Sequence, residues 1–289
     1  MGGSGARTAG AIRLERLVVT RPAPEAAIWV NALREQGWPA HALPLIQITE
    51  PHSPDDLASL QHWRRHWAQA DAILFVSTAA VQHFFAQGVD VTAATRCSTR
   101  FWAPGPGTAR QLARALEALG LPASHIDAPD DDAGQFDSEH LWPKVRSQVG
   151  PGRVVLIVRG ASSLGLPPAD PSGVPGNGRN WLIEQCVAAG AQVQGCVAYA
   201  RQVPVLSAPE QAWVDAATGD DSAWLFSSSE ALLPLLALQP PRDWARAGAL
   251  VTHPRIADAA RRAGFAHVVQ TRPTLSDVVR ALESGWTRP

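Results

Sequence analysis

The feature that most constrains the fold is a regular alternation of short apolar segments with longer amphipathic ones. The segments RLVVT (16–20), AILFV (72–76) and RVVLIV (153–158) are rich in β-branched and aliphatic residues, as strands are. Between such segments lie stretches of about 10–15 residues with the apolar spacing of amphipathic helices. This alternation is typical of parallel sheets covered by helices, and a continuous run such as RVVLIV indicates a strand buried on both faces. The sequence therefore predicts an α/β fold.

Length and punctuation predict more than one domain. A chain of 289 residues suits two domains of about 100–150 residues each. The polar, Pro-containing stretch 49–56 is a plausible boundary after HALPLIQI (41–48), which is predicted to be one strand. Residues 161–178 form a Pro/Gly/Ser-rich insertion and are predicted to be a loop, and residues 1–12 are predicted to be a disordered tail.

Composition excludes several classes of protein. A net charge of −1 argues against a surface that binds nucleic acid or membranes by bulk positive charge. No apolar run approaches the roughly 20 residues of a membrane-spanning helix. The three cysteines, Cys97, Cys186 and Cys196, lack CxxC spacing and suit a reducing compartment. We therefore expect a cytoplasmic protein.

Small or hydroxyl residues recur where predicted strands lead into helices. The six turns are TRPAPE (20–25), VSTAAV (76–81), APGPGTA (103–109), VRGAS (158–162), FSSSEA (226–231) and VTHPRIA (251–257). Ligands bind at the carboxyl ends of strands in open α/β sheets, and helix N-termini attract anions. Ser and Thr are also the ordinary N-caps of helices, so each turn alone is open to a structural interpretation, and Thr108 and Thr274 are predicted to cap the helices that follow them. Together the six turns indicate an anionic small molecule.

Other kinds of site have little support in the sequence. GPGTAR (105–110) has arginine where a dinucleotide fingerprint has its third glycine, and no GxxxxGK[ST] or GxSxG motif occurs. His62 and His66 have i, i+4 spacing but no third ligand nearby, which favours a solvated helix face over a metal site. The acidic run Asp130–Asp132 is interpreted as a loop. Tyr199 is the only tyrosine, and both packing and general-acid chemistry remain open for it.

The ordered set of motifs resembles the uroporphyrinogen-III synthase family. The motifs are VTRPAPEAAIWVNALREQGWPAHALPLIQI, ILFVSTAAVQHFF, APGPGTARQLARALEALGLP, DSEHLW, VVLIVRG, RNWLIEQCVAAGAQVQGCVAYARQVP, FSSSEAL and THPRIADAARRAGF. Each motif is loose, and their serial order makes the resemblance specific. It covers the chain from Arg13 to Glu283.

The resemblance implies two small, flavodoxin-like, three-layer domains with parallel sheets, joined by a two-stranded antiparallel linker. Domain 1 would comprise 13–42 and 204–289, domain 2 would comprise 54–195, and the linker strands would be 43–53 and 196–203. Three of the six turns would then belong to each domain and face a common cleft.

The family reaction cyclises hydroxymethylbilane, a linear tetrapyrrole with eight carboxylates, with inversion of the terminal ring and loss of water. The resemblance implies no metal or organic cofactor, a monomer, and a transient hand-over of substrate from hydroxymethylbilane synthase. Tyr199 matches the tyrosine that assists departure of water. The predicted substrate-binding residues are those of the six turns: Arg21, Ser77, Thr78, Ala79, Gly105, Thr108, Arg159, Gly160, Ser227, Ser228, Ser229, Glu230, His253 and Arg255.

Two departures from the family pattern bear on the site. HPRIA (253–257) stands where the family often has Gly-x-x-Thr-Ala, and the 161–178 insertion lengthens a turn expected to face the cleft. The alternatives left open are a non-catalytic two-lobed binder or sensor of an anionic small molecule, an inactive paralogue, and a nucleotide-dependent transferase. The missing effector segment, the retained Tyr199 and the missing phosphate loops disfavour these in turn.

Overall fold

The computed structural model describes residues 12–96, 98–129, 138–162 and 180–288. Most of the predicted tail, the acidic run Asp130–Asp132 and residues 163–178 of the predicted loop lie outside the described residues. Ile12, assigned to the tail by sequence, belongs to the first strand.

Strands and helices alternate along most of the chain and are numbered here in chain order. The strands are β1 (Ile12–Arg13), β2 (Arg16–Val19), β3 (Ala40–Ala42), β4 (Gln47–Thr49), β5 (Ala72–Phe75), β6 (Arg100–Trp102), β7 (Ile126–Asp127), β8 (Val154–Ser162), β9 (Gln192–Gln202), β10 (Ser222–Phe226), β11 (Gly248–Val251), β12 (His267–Gln270) and β13 (Trp286–Thr287). The α-helices are α1 (Ala23–Glu35), α2 (Pro54–His66), α3 (Thr78–Phe84), α4 (Pro106–Ala118), α5 (Ser138–Val145), α6 (Asn180–Ala188), α7 (Ala208–Ala216), α8 (Leu233–Leu236), α9 (Pro254–Arg262) and α10 (Leu275–Gly285).

The chain divides into two compact units. Unit 1 comprises Met1–Gln47 and Val203–Pro289, and unit 2 comprises Ile48–Gln202. Residues 48–53 and 196–202, which the resemblance assigns to linker strands, belong to unit 2 in this division.

Unit 1 is built on a five-stranded sheet in the order β12-β11-β10-β2-β3. All four neighbouring pairs are parallel, as the alternation with helices predicts. Leu17, Val19 and Leu225 on the sheet pack with Val30 of α1 and Leu282 of α10 in one buried cluster. A small parallel pair, β1 with β13, joins the two ends of the described chain.

Unit 2 is built on a six-stranded sheet in the order β4-β9-β8-β5-β6-β7. Its central strand β5 is buried on both faces: Ile73 and Phe75 belong to one core cluster, and Ala72 and Leu74 to another. Successive side chains of a strand point to opposite faces, so the continuous apolar run supplies both cores. The sheet is therefore the middle of three layers.

The predicted strand HALPLIQI is two strands in different sheets. β3 ends at Ala42 in the sheet of unit 1, and β4 begins at Gln47 at the edge of the sheet of unit 2. Pro44 lies between them and has no N–H to donate to a ladder, which explains the interruption. The strands assigned to a linker are thus continuous with this sheet, since β9 also pairs with β8 from Val154 to Ser162.

No helix in the described part of the chain is long and apolar enough to cross a membrane.

Candidate active site

Tyr199 is buried in the core of unit 2 and forms a hydrogen bond with Ser77. Only 2% of Tyr199 is exposed, and its hydroxyl lies 3.1 Å from Ser77 Oγ. Ser77 is itself only half-buried. The hydroxyl pair is therefore the point at which the phenol of Tyr199 approaches the surface of the unit.

Ser77 owes its position to the start of a helix. It is the N-cap of α3, with an extended backbone (φ −160°), and its Oγ accepts a hydrogen bond from the N–H of Ala80 at 3.1 Å. A serine at this position satisfies a helix N–H that has no partner in the helix itself. The structural interpretation of the hydroxyl turn is confirmed for Ser77, whose single side-chain oxygen caps α3 and also contacts Tyr199, and a contact of Ser77 with substrate remains a prediction.

A bulge in β9 places Tyr199 opposite a glycine. Arg159 pairs with Val197 and Gly160 pairs with Tyr199, so Ala198 has no partner in β8. A methyl group on Gly160 would lie 2.4 Å from Cζ of Tyr199. The absence of a side chain at Gly160 therefore lets the phenol ring lie against the backbone of β8. A role for Gly160 in contacting substrate remains a prediction.

His83 and Arg201 also lie close to the ring of Tyr199. The His83 ring lies 5.8 Å from the Tyr199 ring, measured between centroids, and the Arg201 guanidinium lies 5.8 Å from that ring centroid. Burial lowers the pKa of His83, and Arg64 lowers it further, against an upward effect of Glu50. The imidazole of His83 therefore gains a proton less readily than that of an exposed histidine.

The predicted turns of unit 2 follow three adjacent strands. β8, β5 and β6 are neighbours and parallel, so their carboxyl ends lie at one edge of the sheet. Thr78 and Ala79, in the first turn of α3, are half-buried. A methyl group on Gly107, in the first turn of α4, would lie 3.8 Å from Thr78 Oγ1, which shows how close these two turns are.

The structure corrects the predicted cap of α4. The N-cap residue is Gly105, and Thr108, predicted to cap the helix, is its third residue and only 7% exposed. The helix begins at Pro106, because proline needs no hydrogen-bond acceptor there and its fixed φ suits the first helical position.

Arg159 lies inside unit 2 rather than at its surface. Its relative exposure is 0%, and Nη1 donates to Asn180 Oδ1 over 3.3 Å. A contact between Arg159 and a substrate carboxylate remains a prediction, as do the substrate contacts of the other turn residues.

The predicted turns of unit 1 also follow adjacent parallel strands, namely β11, β10 and β2. In the turn after β2, Arg21 pairs with Glu25 at 3.1 Å and stacks over Trp29 at 4.0 Å. Burial lowers the pKa of Arg21, although Glu25 opposes this.

The serine turn after β10 begins a short 3-10 helix. Ser228 is its N-cap, and Ser228 Oγ accepts the N–H of Glu230 at 3.2 Å. Ser227 and Glu230 are half-buried and Ser229 is exposed. Ser227, the first of the predicted substrate-binding residues in this turn, therefore precedes the N-cap residue.

The turn after β11 is capped by a histidine. His253 is the N-cap of α9, and its Nδ1 accepts the N–H of Arg255 at 3.1 Å. Nδ1 thus carries a lone pair rather than a proton in this arrangement. The imidazole of His253 takes the capping role that a hydroxyl or amide side chain usually has, and the side chain of Arg255 is exposed.

Sequence reasoning missed His83 and Arg64. Arg64 is 7% exposed and donates through Nε to the carbonyl of Phe84 at 3.0 Å, which holds the end of α3. His83 lies six residues after Ser77 and carries no motif of its own. Its proximity to Tyr199 depends on how α3 packs on β9, which no local pattern reveals.

His62 and His66, the pair with metal-ligand spacing, contact each other on α2. The rings of His62 and His66 stack at 4.5 Å, and His66 Nδ1 lies 2.9 Å from the carbonyl oxygen of His62. Among the residues that the structure describes, no group of three or more His, Cys, Asp or Glu side chains is placed to hold a metal ion.

The fold and the turns define a parallel α/β protein that presents helix starts at one edge of each sheet, an arrangement suited to small anionic ligands. The model of the family HEM4, described as uroporphyrinogen-III synthase HemD, matches residues 28–280. The chain therefore belongs to the uroporphyrinogen-III synthase family.

Solved structures with similar folds carry the same name. The chain is similar to a mutant uroporphyrinogen III synthase from Thermus thermophilus, with 18% identity, a TM-score of 0.51 and coverage of 93% of this chain and 99% of that one. It is also similar to a uroporphyrinogen-III synthetase from Helicobacter pylori, with 14% identity, a TM-score of 0.56 and coverage of 94% and 99%. At these identities the likeness shows the fold alone. A sequence search of curated proteins found no match.

Proposed function

We propose that the chain carries out the reaction for which its family is named, the cyclisation of hydroxymethylbilane to uroporphyrinogen III. The observation that carries the proposal, beyond family membership, is the hydrogen bond between Tyr199 and Ser77 at a helix start. It places the chain's single phenol beside the turn that follows β5, at the sheet edge where ligands bind in such folds.

Tyr199 is the proposed acid. Phenols carry a proton at neutral pH and can transfer it to a departing hydroxyl. In the proposed step the phenol proton goes to the hydroxymethyl oxygen and the carbon–oxygen bond breaks. Water leaves, and the pyrrole nitrogen lone pair stabilises the resulting azafulvene cation. Ser77 holds the phenol at 3.1 Å, and the terminal pyrrole then attacks this electrophile through its substituted carbon.

The turns of both units are the proposed sites for the substrate carboxylates. A net charge of −1 leaves little bulk attraction for a ligand with eight carboxylates, so local donors must bind them. Helix starts supply N–H groups and hydroxyls without adding charge. Holding the linear tetrapyrrole in one conformation favours the closure with ring inversion over the direct closure that gives isomer I.

The proposal also includes the enzyme class, the location, the oligomeric state and the source of the substrate. The proposed enzyme is a cyclising hydro-lyase of the cytoplasm that acts as a monomer and receives its unstable substrate from hydroxymethylbilane synthase. The turn residues named above and the absence of a cofactor are part of the proposal.

A coupled assay tests the function. Porphobilinogen and hydroxymethylbilane synthase generate the substrate, this protein is added, and the products are oxidised and resolved as isomers. We expect mainly isomer III with the protein and isomer I without it. Unchanged isomer I would refute the proposal, and binding of the substrate without turnover would instead indicate a sensor.

A further inference from the structure

A polar pocket of about 290 Å³ lies on unit 2, beside the end of α3 rather than its start. Its volume is near the lower limit of pockets that bind small molecules. The lining residues all differ from the predicted substrate-binding residues and are Gln61, Arg64 and Arg65 of α2 and Gln87 and Gly88 of the segment after α3. The seven residues of α3 rise about 10 Å, so the pocket is separate from the contact between Ser77 and Tyr199.

The α2 side of the pocket is one face of that helix. Gln61, Arg64 and Arg65 have i, i+3, i+4 spacing, which places them on neighbouring turns of the same face. Arg64 is only 7% exposed, whereas Gln61, Arg65 and Gln87 are exposed. All four side chains carry N–H donors, and none of these described lining residues is acidic. The pocket therefore combines a buried cation, an exposed cation and two amides.

The guanidinium of Arg64 has donors to spare. Nε donates to the carbonyl of Phe84 at 3.0 Å, and Nη2 donates to the carbonyl of His83. These bonds occupy one edge of the planar group and hold the end of α3, where helical carbonyls lack partners within the helix. With the described residues Arg64 forms no further hydrogen bond and no ion pair, so Nη1 remains available.

The charge of Arg64 is met by neutral groups, unlike that of Arg100 in the same unit. Arg100 uses Nε and Nη2 on the carboxylate of Asp127, at 2.9 and 2.6 Å. Arg64 uses the same two nitrogens on carbonyl oxygens. Burial lowers the pKa of Arg64, although Glu50 opposes this without contacting it. A buried charge is costly unless an opposite charge accompanies it, so the Arg64 pocket favours an anion.

We propose that this pocket binds the phosphate or carboxylate group of a small molecule. Nη1 of Arg64 and the guanidinium of Arg65 are the charged donors, and the amides of Gln61 and Gln87 are the neutral ones. Both kinds of anion accept paired N–H donors from the planar guanidinium, which makes them one class of ligand for this site. The site is additional to the proposed function and does not depend on it.

Calorimetric titration of the full chain with inorganic phosphate, and separately with acetate, tests the site. Chloride replaces part of each anion to keep the ionic strength constant, since screening changes all charge interactions. We expect saturable binding of one anion per chain. Arg65→Gln removes an exposed charged donor and should weaken the affinity by about tenfold or more. Arg114→Gln is the matched control, because Arg114 is an exposed arginine of α4 that does not line the pocket.

Arg64→Lys is the second variant, and it keeps the charge while removing the planar fork. If it folds, as judged by circular dichroism, it should also bind the anion more weakly. Binding of either probe with the expected loss in Arg65→Gln supports the site, and the tighter probe identifies the anionic group. The absence of saturable binding of both probes refutes the proposal. Equal weakening in Arg65→Gln and Arg114→Gln also refutes it, because net charge alone would then explain the effect.

Discussion

Gly160 and Tyr199 fit together so closely that any side chain on the glycine would displace the phenol. A methyl group on Gly160 would lie 2.4 Å from Cζ and 2.5 Å from Cε2 of Tyr199. Both residues are buried, so neither strand has open space beside it. The bulge at Ala198 creates this pairing, because without it Gly160 would face Ala198 and Tyr199 would face Ala161.

Gly160→Ala tests that contact. The added methyl must push the Tyr199 ring away, and overpacking of this kind costs about 1–3 kcal/mol in the free energy of unfolding. We expect such a loss in chemical denaturation, together with slower formation of isomer III. Gly150→Ala is the control, because its methyl would meet no atom within 4 Å. Equal stability of Gly160→Ala and the parent would contradict the close contact.

Tyr199→Phe tests the proposed acid. The substitution keeps the packed ring and removes the hydroxyl, so the free energy of unfolding should fall by about 1 kcal/mol for the lost hydrogen bond. The rate of isomer III formation should fall by about 100-fold, the lower end of general-acid contributions. Quenched time courses of isomer III formation by the two proteins measure this ratio of rates. A mutant as fast as the parent would remove Tyr199 from the mechanism.

Ser77→Ala separates holding of the phenol from proton donation. It leaves the phenol in place but removes both its partner and the cap of α3, so we expect a loss of about 2 kcal/mol in unfolding free energy. The rate should fall less than in Tyr199→Phe, because the acid is still present. A larger loss of rate in Ser77→Ala than in Tyr199→Phe would show that Ser77, not Tyr199, delivers the proton.

The lowered pKa values of two histidines predict how the free energy of unfolding depends on pH. Burial lowers the pKa of His41 and of His83 from 6.5, with Arg34 adding to the effect at His41. The unfolded chain therefore binds these protons at a higher pH than the folded one. Their contribution to stability is complete above about pH 7 and is lost as the pH falls through about 6.5 and below.

Chemical denaturation at about pH 7.5, 6.5 and 5.5 measures this slope. The double variant His41→Gln, His83→Gln should have a smaller slope than the parent. The double variant His62→Gln, His66→Gln, which changes two histidines of α2, is the matched control for the number of substitutions. Identical slopes in the first variant and the parent would contradict the prediction.

The burial of Cys186 and Cys196 predicts that their thiols react slowly in the folded protein. Burial raises the pKa of both Cys186 and Cys196 to about 12, so at pH 8 neither thiol forms the reactive thiolate in the folded chain. In a Cys97→Ser background we expect no alkylation of the native protein within an hour and two labels after unfolding in urea. Rapid labelling of the native variant, read by mass spectrometry, would contradict the burial of these side chains.

Sequence patterns predict the elements whose causes are local. The hydroxyl turn before α3 predicts a helix that begins at Thr78, and Ser77 caps that helix. Thr274 is the predicted cap of the last helix, and its Oγ1 accepts the N–H of Asp277 at 3.2 Å. These predictions succeed because a cap and the helix it starts lie within about four residues of each other. The sequence analysis did not predict the division of HALPLIQI at Pro44, because the apolar residues that indicate a strand continue on both sides of the proline.

The sequence by itself determined that the chain forms parallel sheets alternating with helices and which turns lie at the carboxyl ends of the strands. Hydrophobic period and strand–helix alternation suffice for this, since both act over a few residues. Only the tertiary structure decided that Tyr199 contacts Ser77 across 122 residues, that Gly160 accommodates the ring, and that His83 lies beside it. Those contacts depend on strand order, on a one-residue bulge and on helix packing, which are set by the whole core of unit 2 rather than by neighbours in sequence.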